Sequence, residues 1–125
     1  MPATVLIVDD DPVIQLLLRV NFEMDGFTVV TADDGEQGLE RAFAVSPDLI
    51  LLDVMMPKLD GYEVLAELRK DSRTLTLPVV LLSAKARDSD RQAGMDAGAT
   101  AYITKPFDPI KLLGEVKDLV RPSSS

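Results

Sequence analysis

Leu49-Ile50-Leu51-Leu52-Asp53-Val54-Met55-Met56-Pro57 is the stretch that decides the fold. It is an apolar run broken by one aspartate and closed by a proline, and Pro47 stands just before it. The two prolines leave too little room for a buried helix. The run therefore reads as a strand covered on both faces, as the strands of parallel sheets are. Asp53 then arrives at the C-terminal end of that strand, the edge where open α/β sheets hold their ligands.

Working outward, residues 5–8, 27–31, 79–82 and 101–103 are short β-prone runs, separated by segments with apolar residues at helical spacing. Asp11 suits the N-cap of a first helix and Pro12 its first turn; Val13, Leu17, Val20 and Met24 recur along it before Asp25-Gly26 ends it. Leu39, Ala42 and Phe43 mark the buried side of a second helix, which Ser46-Pro47 stops. Asp60 can cap a third carrying Val64, Leu65 and Leu68, and residues 70–77 read as a polar connection. A fourth helix, over residues 89–97, is polar and poor in large apolar side chains. A fifth spans residues 109–120 and buries Leu112, Leu113, Val116, Leu119 and Val120. Strands and helices in alternation predict an α/β fold, a three-layer α/β/α sandwich around a five-stranded parallel sheet with right-handed crossovers. One domain is expected over residues 1–121, with residues 122–125 a disordered tail or the start of a linker.

Composition removes whole classes of chemistry. The 125 residues contain neither cysteine nor histidine, which excludes disulfides, thiolate or imidazole metal sites, cysteine nucleophiles and Ser-His-Asp arrangements. Chemistry must run on carboxylates, hydroxyls and lysines. A net charge of −8 argues against direct contact with nucleic acid, because a polyanion is bound by cationic neutralisation of its phosphates. A protein partner is expected instead. With neither a basic leader nor a long apolar stretch at the N-terminus, the expected location is the cytoplasm.

Four of the five predicted strands end in a polar residue of a particular kind: Asp9 and Asp10, then Asp53, Ser83 and Lys105. In the flavodoxin-like strand order 2-1-3-4-5 the first and third strands are neighbours at the switch point, so three carboxylates face one crevice beside a hydroxyl and an ammonium. Like charges at that separation raise one another's pKa unless a cation joins them. An all-oxygen site with few protein ligands suits Mg²⁺, with Mn²⁺ as a substitute, better than Ca²⁺. Asp9 and Asp10 would hold the ion, with the Met55 backbone carbonyl completing its shell. Asp53 is then the candidate nucleophile for phosphoryl transfer, and Lys105 and the Ser83 hydroxyl are the groups for phosphoryl oxygens. Singly, each residue has a plainer role: Asp11 as a cap, Ser83 as a cap of the next helix, Lys105 as a solvated cation, Tyr102 as a packing aromatic.

Together, Leu6-Ile7-Val8-Asp9-Asp10, Leu51-Leu52-Asp53-Val54-Met55-Met56-Pro57 with Asp60-Gly61, Leu82-Ser83-Ala84, and Gly98-Ala99 leading to Lys105-Pro106-Phe107 carry a resemblance. In order and spacing the chain is similar, over nearly its whole length, to the receiver domains of two-component response regulators. The resemblance implies that Asp53 accepts phosphate from a histidine kinase or phosphotransfer protein and that Asp9 and Asp10 are the acidic metal pair. It implies that Ser83 and Tyr102 form the switch, repacking the face made by the fourth helix, fifth strand and fifth helix for a downstream protein target or a separate output domain. A cis bond at Lys105-Pro106 is implied as well. The resemblance also implies that Met55 and Lys85 lie where that family tunes the lifetime of the phosphorylated state, and neither is a carboxamide or acid that would position water.

One alternative uses the same residues differently. Asp9-Asp10-Asp11-Pro12-Val13 matches the D-x-D-x-[TV] signature of haloacid dehalogenase-type phosphatases, with Asp9 as nucleophile, but leaves Asp53 without a role. A flavin carrier on the same fold would set its phosphates against Asp9 to Asp11, where the anions repel. An exposed strip near Gln15, Leu16 and Arg19 on the first helix is the expected docking surface for a helical phosphodonor.

Overall fold

The computed structural model describes residues 3–56 and 58–120. Pro57, the expected domain limit at Arg121 and the expected tail lie outside the described residues, as do Met1 and Pro2. Elements alternate throughout: β1 (Thr4–Val8), α1 (Pro12–Met24), β2 (Thr28–Ala32), α2 (Gly35–Val45), β3 (Leu49–Asp53), α3 (Gly61–Lys70), β4 (Val79–Ser83), α4 (Asp88–Asp96), β5 (Ala101–Thr104) and α5 (Pro109–Val120). The strands pair in parallel in the order β2-β1-β3-β4-β5. This is the expected fold, with element ends displaced by a residue or so.

Side-chain alternation along each strand divides the core in two. Leu6, Val8, Ile50, Leu52 and Leu81 pack under α2 and α3, against Ala42, Val64, Leu65 and Leu68. Val5, Ile7, Leu49, Leu51 and Leu82 pack under α1 and α5, against Leu18, Phe22, Leu112 and Val116. β3 and β4 are buried at every residue, which is why they read as apolar runs up to their last residues, Asp53 and Ser83.

The α1 stripe is corrected. Val13, Leu17, Val20 and Met24 are exposed; Leu18 and Phe22 are the fully buried residues, with Ile14 packed against the same cluster. Both sets have helical spacing, so periodicity alone does not choose between them. Anchors at the start of the helix do. The Asp11 carboxylate caps α1 by accepting from the Val13 amide at 2.9 Å, and the Gln15 amide donates to the Asp33 carboxylate at 2.9 Å and the Ala32 carbonyl at 3.2 Å. These contacts fix the rotation of the helix and turn Phe22 inward.

Other junctions follow the expected signals. Gly26 takes φ 95° after α1, Ser46 ends α2 at φ 52°, and Asp60 and Glu63 form a reciprocal capping box at the start of α3. The connection after α3 is more ordered than its polar composition predicts. Thr74 is buried, and the Arg69 guanidinium donates to the carbonyls of Thr74, Leu75, Leu77 and Gly98 at 2.8–3.2 Å. One cation thereby satisfies a cluster of backbone acceptors that no helix or strand serves.

Candidate functional site

Sheet register brings the acidic residues together. Val8 pairs with Leu52, so the next residues, Asp9 and Asp53, leave adjacent strand ends at the same level. Both are buried, whereas Asp10 is exposed. One carboxylate oxygen from each of the three lies within 4.8 Å of the others. Gly61 permits the tight return of the chain after β3, since a Cβ there would stand 2.6 Å from the Asp53 carbonyl oxygen and 2.8 Å from Val54 Cα.

The pocket's charges are strongly coupled. Burial, then the nearby Asp9 carboxylate, raises the Asp53 pKa to about 6 against the opposing pull of Lys105. Asp9 is also raised, chiefly by burial, although the Asp11 amide donates to its Oδ1 at 2.9 Å. Lys105 Nζ sits between the two, 3.2 Å from Asp9 Oδ2 and 3.2 Å from Asp53 Oδ1. Burial works against its charge, but the two carboxylates outweigh burial and its pKa is raised. One ammonium thus balances two buried anions, and the exposed Asp10 adds a third. Such a donor set, all oxygen and short of positive charge, fits a hard divalent cation.

The Lys105 amide donates to the Ser83 carbonyl at 2.7 Å, and the Lys105-Pro106 bond is cis, as expected. Ser83 is fully buried, and its hydroxyl accepts from the Lys85 amide at 3.1 Å. It does not cap α4, whose N-cap is Arg87. The Lys85 carbonyl in turn accepts from the Tyr102 hydroxyl at 2.8 Å, with the ring buried. Ser83 and Tyr102 are therefore joined through one peptide segment of the β4–α4 loop.

The expected residues Asp9, Asp10, Asp53, Ser83 and Lys105 converge on one edge, and Tyr102 lies one step behind Ser83. Met55 flanks them, its amide 3.4 Å from Asp53 Oδ1 and its side chain exposed. Of the strip on α1, Leu16 and Arg19 are exposed, Arg19 pairing with Glu23 at 3.3 Å, whereas Gln15 is half-buried and its side-chain amide is committed to the tips of β1 and β2. Sequence reading did not foresee the tie between α2 and the β3–α3 loop. Lys58 pairs with the buried Asp34 at 3.6 Å, and a Cβ on Gly35 would collide with the Leu59 carbonyl oxygen. Asp33-Asp34-Gly35 is a turn signal in the sequence, but it does not say what packs upon the turn.

The doubly wound parallel sheet thus gathers three acids and one lysine at its switch point. The family model described as the response regulator receiver domain matches residues 5–117. The chain belongs to that family and is a receiver domain of a two-component response regulator. It is 46% identical over 117 residues to the DNA-binding dual master transcriptional regulator RpaA of Synechocystis, covering 94% of this chain and 48% of that protein. It is 45% identical over 123 residues to the alkaline phosphatase synthesis transcriptional regulatory protein PhoP of Bacillus subtilis, covering 98% and 50%. The chain thus spans about half the length of these curated relatives. Among solved structures, a putative response regulator from Chloroflexus aurantiacus superposes with TM-score 0.91 at 37% identity, covering 96% of this chain and 98% of that one. A chemotaxis response regulator of Vibrio cholerae superposes with TM-score 0.90 at 32% identity, covering 95% and 99%. The phosphatase alternative is not supported: Asp11, the second acid of that signature, caps α1, and the acid cluster found among the described residues is Asp9, Asp10 and Asp53. No helix among the described residues is long and apolar enough to cross a membrane.

Proposed function

We propose that Asp53 is the phosphoacceptor, taking a phosphoryl group from a phosphohistidine on a sensor kinase or phosphotransfer protein. An Asp53 carboxylate oxygen forms the new P–O bond as the P–N bond to the donor imidazole breaks, the electron pair remaining on the imidazole nitrogen. The observation that carries this reading is the position of Lys105 Nζ, 3.2 Å from Asp53 and within one pocket with Asp9 and Asp10. With a pKa near 6, Asp53 is mostly ionised at neutral pH and available as a nucleophile. Lys105 and the Ser83 hydroxyl then hold phosphoryl oxygens. Asp9, Asp10, Asp53 and the Met55 backbone carbonyl are the residues that would hold Mg²⁺, or Mn²⁺ in its place. When bound, the metal neutralises the acid cluster and offers a ligand position to a phosphoryl oxygen.

On this reading the protein catalyses only its own phosphorylation and dephosphorylation, in the cytoplasm. Ser83, drawn toward the phosphoryl group, releases or remakes the Lys85 link to Tyr102 and so repacks the surface of α4, β5 and α5. That surface addresses a downstream protein or an output domain. The relatives described as transcriptional regulators favour an output domain that acts on DNA, while the charge of −8 keeps the receiver's own surface away from the polyanion. The exposed Leu16 and its apolar neighbours on α1 are the proposed contact for the phosphodonor.

The test is incubation with acetyl phosphate and Mg²⁺, followed by mapping of a hydroxylamine-sensitive modification. Label on Asp53, lost in Asp53→Asn, is the expected result. Label on Asp9 with turnover of the donor would contradict it.

A further inference from the structure

α4 meets β5 at a position where the helix carries no side chain. Gly94 is buried in α4, and a Cβ added to it would lie 2.7 Å from Tyr102 Cδ2, 3.2 Å from Tyr102 Cε2 and 3.2 Å from Leu81 Cδ1. Close-packed interiors do not hold a methyl group that near a ring carbon, so the ring or the helix would have to move. The ring is confined elsewhere too. Its hydroxyl is bound to the Lys85 carbonyl at 2.8 Å, and the Arg91 guanidinium lies 5.8 Å from the ring centroid.

A glycine within a helix is disfavoured relative to alanine and calls for a local reason. Backbone conformation is not that reason here, since the positive-φ glycines among the described residues are Gly26 and Gly98. Gly114 in α5 provides the contrast: a Cβ there would meet nothing within 4 Å. At Gly94 the reason is the space taken by the Tyr102 ring.

We propose that Gly94 is a positioning residue for the Tyr102 switch. The missing side chain opens the seat in α4 that the ring occupies, and it biases the domain toward the packing with the ring inside. The role assigned to Tyr102 rests on the function proposed above, but the seat is tested without phosphate or metal.

The chain has two tyrosines and no tryptophan, so Tyr62→Phe leaves Tyr102 as the sole tyrosine fluorophore. In that background, Gly94→Ala is expected to raise the acrylamide quenching constant of Tyr102 severalfold, toward that of a free tyrosine amide. Gly114→Ala, the same exchange without a clash, is expected to leave quenching unchanged. Quenching in Gly94→Ala equal to the parent's would overturn the proposal, as would an equal rise in Gly114→Ala. If Gly94→Ala does not fold, removing the ring in Gly94→Ala/Tyr102→Ala is expected to restore the far-ultraviolet circular dichroism, and its failure to do so would overturn the proposal. Acetyl phosphate labelling of the parent at Asp53 is read separately, so a failed phosphoacceptor and a failed seat give different results.

Discussion

The Tyr102 hydroxyl donates to the backbone carbonyl of Lys85 at 2.8 Å, the same residue whose amide is held by the Ser83 hydroxyl at 3.1 Å. One peptide segment therefore contacts both Ser83 and Tyr102, the two residues of the proposed switch. A force that draws the Ser83 oxygen toward the strand edge removes an acceptor from the Lys85 amide, and the segment that holds Tyr102 is then free to move. The connection is a contiguous set of hydrogen bonds, so its strength can be measured at either end.

Tyr102→Phe keeps the ring and removes only the donor to the Lys85 carbonyl. Loss of a single neutral hydrogen bond of this kind is expected to destabilise the domain by about 1 kcal/mol. Urea unfolding gives the figure directly. The more specific consequence is faster amide exchange at Lys85 and its neighbours in the β4–α4 loop, measured by hydrogen exchange. Unchanged protection there would show that the Tyr102 hydroxyl does not order the loop.

Lys105→Met removes the ammonium from between two buried carboxylates. Breaking a buried pair while leaving its partner ionised is expected to destabilise the metal-free protein by roughly 3 kcal/mol at pH 8. The loss should shrink as pH falls, because Asp9 and Asp53, both already raised by burial and Asp53 further by Asp9, take up protons instead. Unfolding midpoints at pH 8 and pH 5 distinguish this from a loss of packing, which would be the same at both.

Asp53 sets a pH dependence of opposite sign to that of an ordinary salt-bridged aspartate. Its pKa is about 6 in the folded chain against an ordinary 3.8, so between those values the folded form binds more protons than the unfolded one. Stability of the metal-free protein is therefore expected to fall as pH rises through that window, and Asp9 adds in the same direction. Asp53→Asn should flatten the profile and stabilise the domain at pH 8, by at most about 2–3 kcal/mol. Magnesium should have a similar effect on the parent, by linkage to the folded state. A profile for the parent that rises from pH 4 to pH 7 in the presence of chelator would contradict the charge balance described here.

The sequence by itself determined the layers, the strand order and the residues of the pocket. Fully buried strands must be continuously apolar, so β3 and β4 announce themselves, and a carboxylate, hydroxyl or lysine at the end of such a strand has few places to go. Because parallel strands share one C-terminal edge, Asp9, Asp10, Asp53, Ser83 and Lys105 could be assembled from order alone. Helix rotation and through-space contacts were decided only by the tertiary structure. Two stripes of α1 satisfy the same period, and the Asp11 cap with the Gln15 clamp selects the one bearing Phe22. Gly94 against Tyr102, Arg69 among four carbonyls, and Lys58 on Asp34 join side chains or backbone that are distant in the chain or on different elements. Local pattern encodes which face is apolar, but a contact between elements depends on how their surfaces dock, and that is a property of the whole packed domain.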